Sequence, residues 1–159
     1  MELEKVARIL IIGYGNPLRS DDGIGWHAAE ELTRWFTSPE VEVLIRYQLT
    51  PEVADVIHQC DAVIFIDAGR DGVPGEVMFE RITAKAERPS FSHELAPAAV
   101  LELCRQIYHR CPAAFMVSLC GECFEHGEGL SAKVAASLPH LTALVGQLAN
   151  SEIAKARAA

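Results

Sequence analysis

Residues 7–36 read ARILIIGYGNPLRSDDGIGWHAAEELTRWF, and this stretch decides the fold class. Ala7 to Ile12 is an apolar run with the character of a β-strand. From Ile24 to Phe36, apolar residues recur at intervals of three and four, which predicts an amphipathic helix. The loop between them, Gly13 to Gly23, is rich in glycine and carries two adjacent carboxylates. A strand, a loop and a helix in this order predict the start of an α/β sheet.

The rest of the chain repeats this alternation of strands and helices. Four further apolar runs have strand character: Val41 to Tyr47, Ala62 to Ile66, Glu76 to Ile82 and Ala113 to Leu119. Helices are predicted from Thr50 to about Gln59, from about Leu95 to Tyr108, from Ser131 to a break or kink at Pro139, and from there through Leu148. We expect the small, charged tail Glu152 to Ala159 to fray.

This alternation predicts one α/β domain spanning residues 1–159. Each connection is long enough for a crossover, so the fold should be a three-layer αβα sandwich around a mainly parallel five-stranded sheet. The fourth predicted strand is followed by a loop rather than preceded by a helix, so it is a possible antiparallel edge strand.

The composition indicates which partners are excluded and in which cellular compartment the protein is expected. The formal net charge is −8, and the 14 Lys and Arg residues are scattered, which argues against nucleic acid as a partner. The sequence shows neither a signal peptide nor the roughly 20 apolar residues of a membrane span. Five cysteines, an odd number, are expected to be reduced thiols. We therefore expect a cytoplasmic protein that does not interact with membranes.

Three side chains are candidate site residues. Asp21 and Asp22 lie at the start of the first helix, where both could serve only as helix caps, or where one could cap while its neighbour faces a crevice. Asp67 closes the third predicted strand, and His93 lies in a loop that leads into the third helix. If the first and third strands are parallel, Asp22 and Asp67 share the sheet edge where α/β sites form. Two carboxylates and an imidazole suit a divalent ion such as nickel or zinc.

Two other motifs suggest different chemistry. The glycine-rich loop resembles a dinucleotide-binding turn, but Leu18 replaces its third glycine, and Asp22 would place a negative charge where a phosphate would bind. Cys120-Gly-Glu-Cys123 has the spacing of a redox pair or half of a zinc site, but no second pair accompanies it. A structural role is the favoured interpretation of the two cysteines.

Four segments together resemble the hydrogenase maturation endopeptidases over nearly the whole chain. They are IIGYGNPLRSDDGIG at residues 11–25, FIDAG at 65–69, SHELAP at 92–97 and GECFEHGEGLS at 121–131. Cys123 stands where members of the family often have proline. The stretch YQLTPEVADVIHQCDAVIFIDAG, at residues 47–69, also resembles the subgroup that acts on cytosolic, NAD(P)-linked hydrogenases.

The resemblance implies both an activity and a set of site residues. Asp22, Asp67 and His93 would contact nickel that is already loaded into the precursor of a hydrogenase large subunit, and the enzyme would remove the precursor's C-terminal peptide. We expect hydrolysis without an acyl-enzyme, with either the metal or a carboxylate activating water. A nickel-recognition or delivery protein that cuts nothing would carry the same residues, and a nucleotide-binding oxidoreductase is the remaining alternative.

Overall fold

The computed structural model describes residue 3 and residues 5–86 and 94–159. Its five strands are β1 (Ile9–Tyr14), β2 (Val41–Arg46), β3 (Ala62–Gly69), β4 (Val77–Ile82) and β5 (Ala113–Cys120). Its α-helices are α1 (Ile24–Trp35), α2 (Val53–Ile57), α3 (Pro97–Tyr108) and α4 (Ala132–Ala158), and a short 3-10 helix spans Ser20–Gly23.

The strands form one sheet in the order β2-β1-β3-β5-β4. The β1–β2, β1–β3 and β3–β5 pairs are parallel, whereas β4 is antiparallel to β5 at the sheet edge. The fold class and the antiparallel edge strand are therefore confirmed. Because the chain leaves β1, steps outward to β2 and returns to β3, strand order reverses at β1, and crevices form at such a reversal.

Each face of the sheet buries its own hydrophobic cluster. On one face, β1 residues such as Ile11 pack with Leu32 of α1 and Val145 of α4. On the other, alternate strand residues such as Phe65 pack with Leu101 of α3 and with α2. Successive strand residues point to opposite faces, so one apolar run serves both clusters. The result is the αβα sandwich that the sequence predicts.

The second predicted helix is shorter in the structure than expected. The turn before α2 is closed by hydrogen bonds between residues three apart, from Val53 N–H to Thr50 O and from Ala54 N–H to Pro51 O. These bonds are typical of a 3-10 turn, so the α-helix begins only at Val53.

The C-terminal part of the chain differs most from the prediction. Helix α4 passes through Pro139 without ending and continues to Ala158. The Thr142 hydroxyl donates to the carbonyls of Leu138 and Pro139, next to the position where proline removes a backbone donor. The predicted end of a helix at Pro139 and the predicted frayed tail are wrong, whereas the alternative of a kink at Pro139 stays a prediction.

The last turns of α4 are held by packing and an ion pair. Glu152 and Ala156 are buried, and the Arg157 guanidinium pairs with Glu40, just before β2. Within the described residues, no helix combines the length and hydrophobicity needed to cross a membrane.

Candidate active site

Two candidate residues meet at the carboxyl edge of the parallel strands. Asp22 lies in the 3-10 helix that connects β1 to α1, and Asp67 lies near the end of β3. β1 and β3 are hydrogen-bonded neighbours, with Gly13 opposite Ile66. Both side chains line one cavity of about 280 Å³. The prediction that they share this edge is confirmed.

The cavity is lined largely by polar groups. Besides the two aspartates, its described lining includes a tyrosine from the end of β1, the segment after β2, an arginine after β3 and the residues before α3: Tyr14, Tyr47, Gln48, Arg70, Glu94 and Leu95. Carboxylates, phenols and an arginine suit a site that receives a polar or charged ligand.

Close backbone packing shapes the turn that carries Asp22. Gly15 has a φ of +139°, and a Cβ built there would lie 2.1 Å from the backbone oxygen of Asp22. A Cβ on Gly13 would lie 2.0 Å from the backbone oxygen of Gly25. Only glycine fits both positions without displacing the backbone, so these residues fix the path from β1 into α1.

The two oxygens of the Asp22 carboxylate have different partners. Oδ2 accepts a hydrogen bond from the backbone N–H of Asn16 at 2.9 Å, which fixes the side chain. Oδ1 lies 3.7 Å from Nη2 of Arg70, too far for a hydrogen bond but close enough for an ion pair. The side chain is 22% exposed, so a ligand in the cavity can reach it.

Asp67 is more strongly perturbed. Burial raises the pKa of its carboxyl group to about 6, and the nearby negative charge of Asp22 acts in the same direction. The N–H of Ala68, which donates to Oδ1 at 2.7 Å, opposes the increase, as do a hydrogen bond from Tyr14 and the charge of Arg70. A carboxyl group with this pKa can be a metal ligand or a general base near neutral pH.

Tyr14 supports Asp67 from the end of β1. Burial raises the pKa of the Tyr14 hydroxyl far above its usual value, and the Asp67 charge and the hydrogen bond to it contribute further. The phenol therefore stays protonated and donates to Asp67. Tyr14 is not among the residues predicted from the sequence, although its place between Gly13 and Gly15, where β1 ends, is a usable signal.

Asp21, the neighbour of Asp22, has a structural role. Its carboxylate is fully buried and accepts hydrogen bonds from the backbone N–H groups of Glu122, Cys123 and Ser131 and from the Ser131 hydroxyl. Burial alone would raise its pKa, but these hydrogen bonds outweigh it and hold the pKa below the usual value. Asp21 is thus structural, and Asp22 faces the cavity. Asp21 does not cap α1, whose N-cap has no side-chain hydrogen bond, but holds the segment 121–131 in place.

His93 lies outside the described residues. The next residue along the chain, Glu94, lines the cavity. Within the described part of the chain, no group of three or more His, Cys, Asp or Glu side chains could hold a metal ion. Asp22 and Asp67 supply two carboxylates at this edge, and Glu94 adds a third to the lining of the cavity. Their hard oxygen donors fit a divalent cation, but the described side chains do not complete a ligand set.

The remaining candidates lie elsewhere or are occupied. Cys120 is buried at the end of β5, Cys123 lies in the following loop, and both are free cysteines. A phosphate in the glycine-rich turn would need free backbone N–H groups, but the N–H of Asn16 already donates to the Asp22 carboxylate. The geometry of this turn therefore disfavours the nucleotide interpretation.

The protein is therefore an α/β sandwich in which two aspartates, Asp22 and Asp67, lie at the carboxyl edge of the sheet where the strand order reverses. No protein-family model matches the chain, and no curated protein matches it. Solved structures do match over most of its length.

The hydrogenase maturating endopeptidase HybD from Escherichia coli is 27% identical to this chain, with a TM-score of 0.76; the match covers 91% of this chain and 93% of HybD. A solution structure of an endopeptidase from E. coli is 25% identical, with a TM-score of 0.71 and coverage of 87% and 89%. The [NiFe] hydrogenase maturation protease HycI from Thermococcus kodakarensis KOD1 is 21% identical and shares the fold, with a TM-score of 0.73 and coverage of 91% and 93%. The resemblance to the hydrogenase maturation endopeptidases is confirmed.

Proposed function

We propose that this protein is an endopeptidase that removes the C-terminal peptide from the nickel-loaded precursor of a [NiFe] hydrogenase large subunit. The observation that carries the proposal is the meeting of Asp22 and Asp67 in one cavity, in a fold similar to that of HybD over 91% of the chain. Similarity to a hydrogenase maturating endopeptidase and to a hydrogenase maturation protease supports a hydrolase.

Nickel enters this scheme as part of the substrate. Asp22 Oδ1 and the Asp67 carboxylate would contact metal that the precursor already holds, and His93 is proposed as the third ligand. The metal would serve as a positioning group and a Lewis acid, so that the scissile peptide lies beside the two carboxylates. Asp67, which accepts hydrogen bonds from Tyr14 and from the N–H of Ala68, would either contact the metal or accept a proton from water.

The composition of the cavity supports direct hydrolysis. Its described lining contains no serine, threonine or cysteine that could act as a nucleophile. Burial raises the pKa of Cys120, so this thiol stays protonated. The proposal is therefore attack by water without an acyl-enzyme.

The compartment and partners are also proposed. All five cysteines are unpaired in the structure, which suits the reducing cytoplasm. The net charge of −8 disfavours nucleic acid, and the precursor of the large subunit is the proposed partner.

The deciding experiment is a cleavage assay on purified precursor with and without nickel, with the product mass as readout. The wild-type protein should cut only the nickel-loaded precursor, and Asp22→Asn, Asp67→Asn and His93→Ala should each lose cutting. Asp71→Asn is the matched control, because this exposed carboxylate follows β3 closely but does not line the cavity. Circular dichroism of each variant checks that the fold is kept.

Two outcomes would contradict the proposal. Nickel-free precursor cut as readily as loaded precursor would remove metal-directed recognition. Tight binding of loaded precursor without any change in its mass would instead identify a non-cleaving nickel-recognition or delivery protein.

A further inference from the structure

Arg70 lies at the mouth of the cavity, directly after β3. Its side chain is 63% exposed. If Asp22 and Asp67 bind a metal, the role of the positively charged Arg70 remains to be explained. The same negative charges would attract both the Arg70 guanidinium and a metal ion.

Two groups that attract cations hold the Arg70 guanidinium. Nη2 lies 3.7 Å from Oδ1 of Asp22, and Cζ lies 3.9 Å from the centroid of the Phe124 ring. Phe124 belongs to the segment 121–131, which the buried carboxylate of Asp21 anchors through Glu122, Cys123 and Ser131. The ring therefore belongs to an anchored segment, and stacking on an aromatic face is a common arrangement for arginine.

The contact between Arg70 and Asp22 is easy to break. At 3.7 Å it is an ion pair without a hydrogen bond, and it is open to water, so it contributes little to stability. Among the described residues, the backbone hydrogen bond to the Asp22 carboxylate comes from Asn16 and goes to the other oxygen, Oδ2. A ligand that needs Oδ1 must compete with Arg70.

We propose that Arg70 is a displaceable counter-ion: it pairs with Asp22 in the free protein and so weakens the binding of free divalent metal at this carboxylate. This inference rests on the proposed function, since it explains why the free protein would hold little metal of its own while a precursor brings additional contacts. A free metal ion must displace the guanidinium or bind close to its positive charge, and it makes no other contacts that offset this cost. A precursor brings further contacts that offset this cost, while Arg70 can remain stacked on Phe124.

The test is a calorimetric titration of the free protein with Ni²⁺ alone at low ionic strength. Arg70→Gln should bind Ni²⁺ about three- to tenfold more tightly than wild type, since a single positive charge beside a partly exposed site is removed. Arg70→Lys keeps the charge and should stay nearer to wild type. Arg34→Gln, which removes an exposed charge at the far end of α1, should change the affinity by less than about twofold.

A double-mutant cycle identifies Asp22 as the group through which Arg70 acts. In an Asp22→Asn background, Arg70→Gln should give little or no gain in affinity. The proposal is overturned by an unchanged affinity in Arg70→Gln, by an equal gain in Arg34→Gln, or by a full gain that persists without the Asp22 carboxylate. Circular dichroism confirms that each variant is folded.

The titration contains no precursor, so its outcome is separate from that of the cleavage assay. If wild-type protein cuts loaded precursor but Arg70→Gln binds Ni²⁺ no more tightly, only the role of Arg70 is lost. If Arg70→Gln gains affinity but wild type cuts nothing, the role in metal exclusion stands and the endopeptidase proposal fails.

Discussion

Asp21 accepts hydrogen bonds from both the backbone N–H and the hydroxyl of Ser131, which lies 110 positions further along the chain. The N–H bond measures 2.7 Å and the hydroxyl bond 2.8 Å. Ser131 is the residue before α4, so this contact joins the 3-10 helix that carries Asp22 to the start of the last helix. The position of Asp22 in the cavity therefore depends on a buried neighbour that cannot reach the substrate.

Asp21→Asn should destabilise the protein by about 2–3 kcal/mol, because it replaces a charged acceptor with an amide that cannot accept all four hydrogen bonds. Urea unfolding of the variant and of wild type measures the loss. Asp22→Asn is the control, since its carboxylate accepts one backbone N–H and is partly exposed. Equal stability of the Asp21 variant and wild type would show that these hydrogen bonds make no net contribution to the free energy of unfolding.

Gly13→Ala and Gly15→Ala should each lower the free energy of unfolding by about 2 kcal/mol or more, because the added Cβ meets a backbone oxygen. At Gly15 the φ of +139° adds conformational strain. Gly69→Ala is the matched control: its nearest neighbour would be 3.6 Å away, so its stability should change by less than about 1 kcal/mol. Thermal melting of the three variants compares them, and wild-type behaviour in the first two would contradict the geometry of this turn.

Local patterns in the sequence predict most of the fold. The apolar runs identify all five strands, because strand burial shows directly in composition; the largest error is at the end of β3, predicted at Ile66 and observed at Gly69. The edge location of Asp22 and Asp67 follows from parallel pairing alone. The structural partner of Asp21 could not be predicted, since its hydrogen bonds go to a segment about 100 residues away and local rules point to a helix cap.

Two other failures have different physical causes. The small and charged residues of the tail suggest fraying, yet Ala149, Glu152 and Ala156 continue the three- and four-residue spacing of the buried face of α4. That spacing is visible in the sequence and could have extended the helix. The contact of Arg70 with Asp22 and Phe124 joins three segments that are far apart in the sequence, and no local pattern indicates it.

Replacing both Cys120 and Cys123 with serine should leave precursor cleavage within about tenfold of wild type, a change of about 1.4 kcal/mol in the barrier. Neither cysteine lines the cavity in its described part, and burial keeps the Cys120 thiol protonated. The single variants should differ in stability: Cys120→Ser should melt lower, because it places a hydroxyl at a buried position, whereas Cys123→Ser should melt close to wild type. A folded double variant that cuts nothing would restore the redox or zinc interpretation.

Glu40→Gln should lower stability at neutral pH, and the deficit should disappear on acidification. Arg157 donates from Nε to Oε1 of Glu40 at 3.0 Å, and this hydrogen bond is the main reason that the pKa of Glu40 lies below its usual value, although burial opposes the decrease. Because the folded-state pKa is depressed, the stabilisation is present above the unfolded-state pKa and is lost as the pH falls through the folded-state value. Urea unfolding of wild type and variant between neutral pH and about pH 3 should therefore give curves that converge at the acidic end. Glu30→Gln, at an exposed position of α1, is the control for the change in net charge. A Glu40→Gln deficit that is constant across this range, or that is matched by Glu30→Gln, would show that the Glu40–Arg157 pair does not anchor the end of α4.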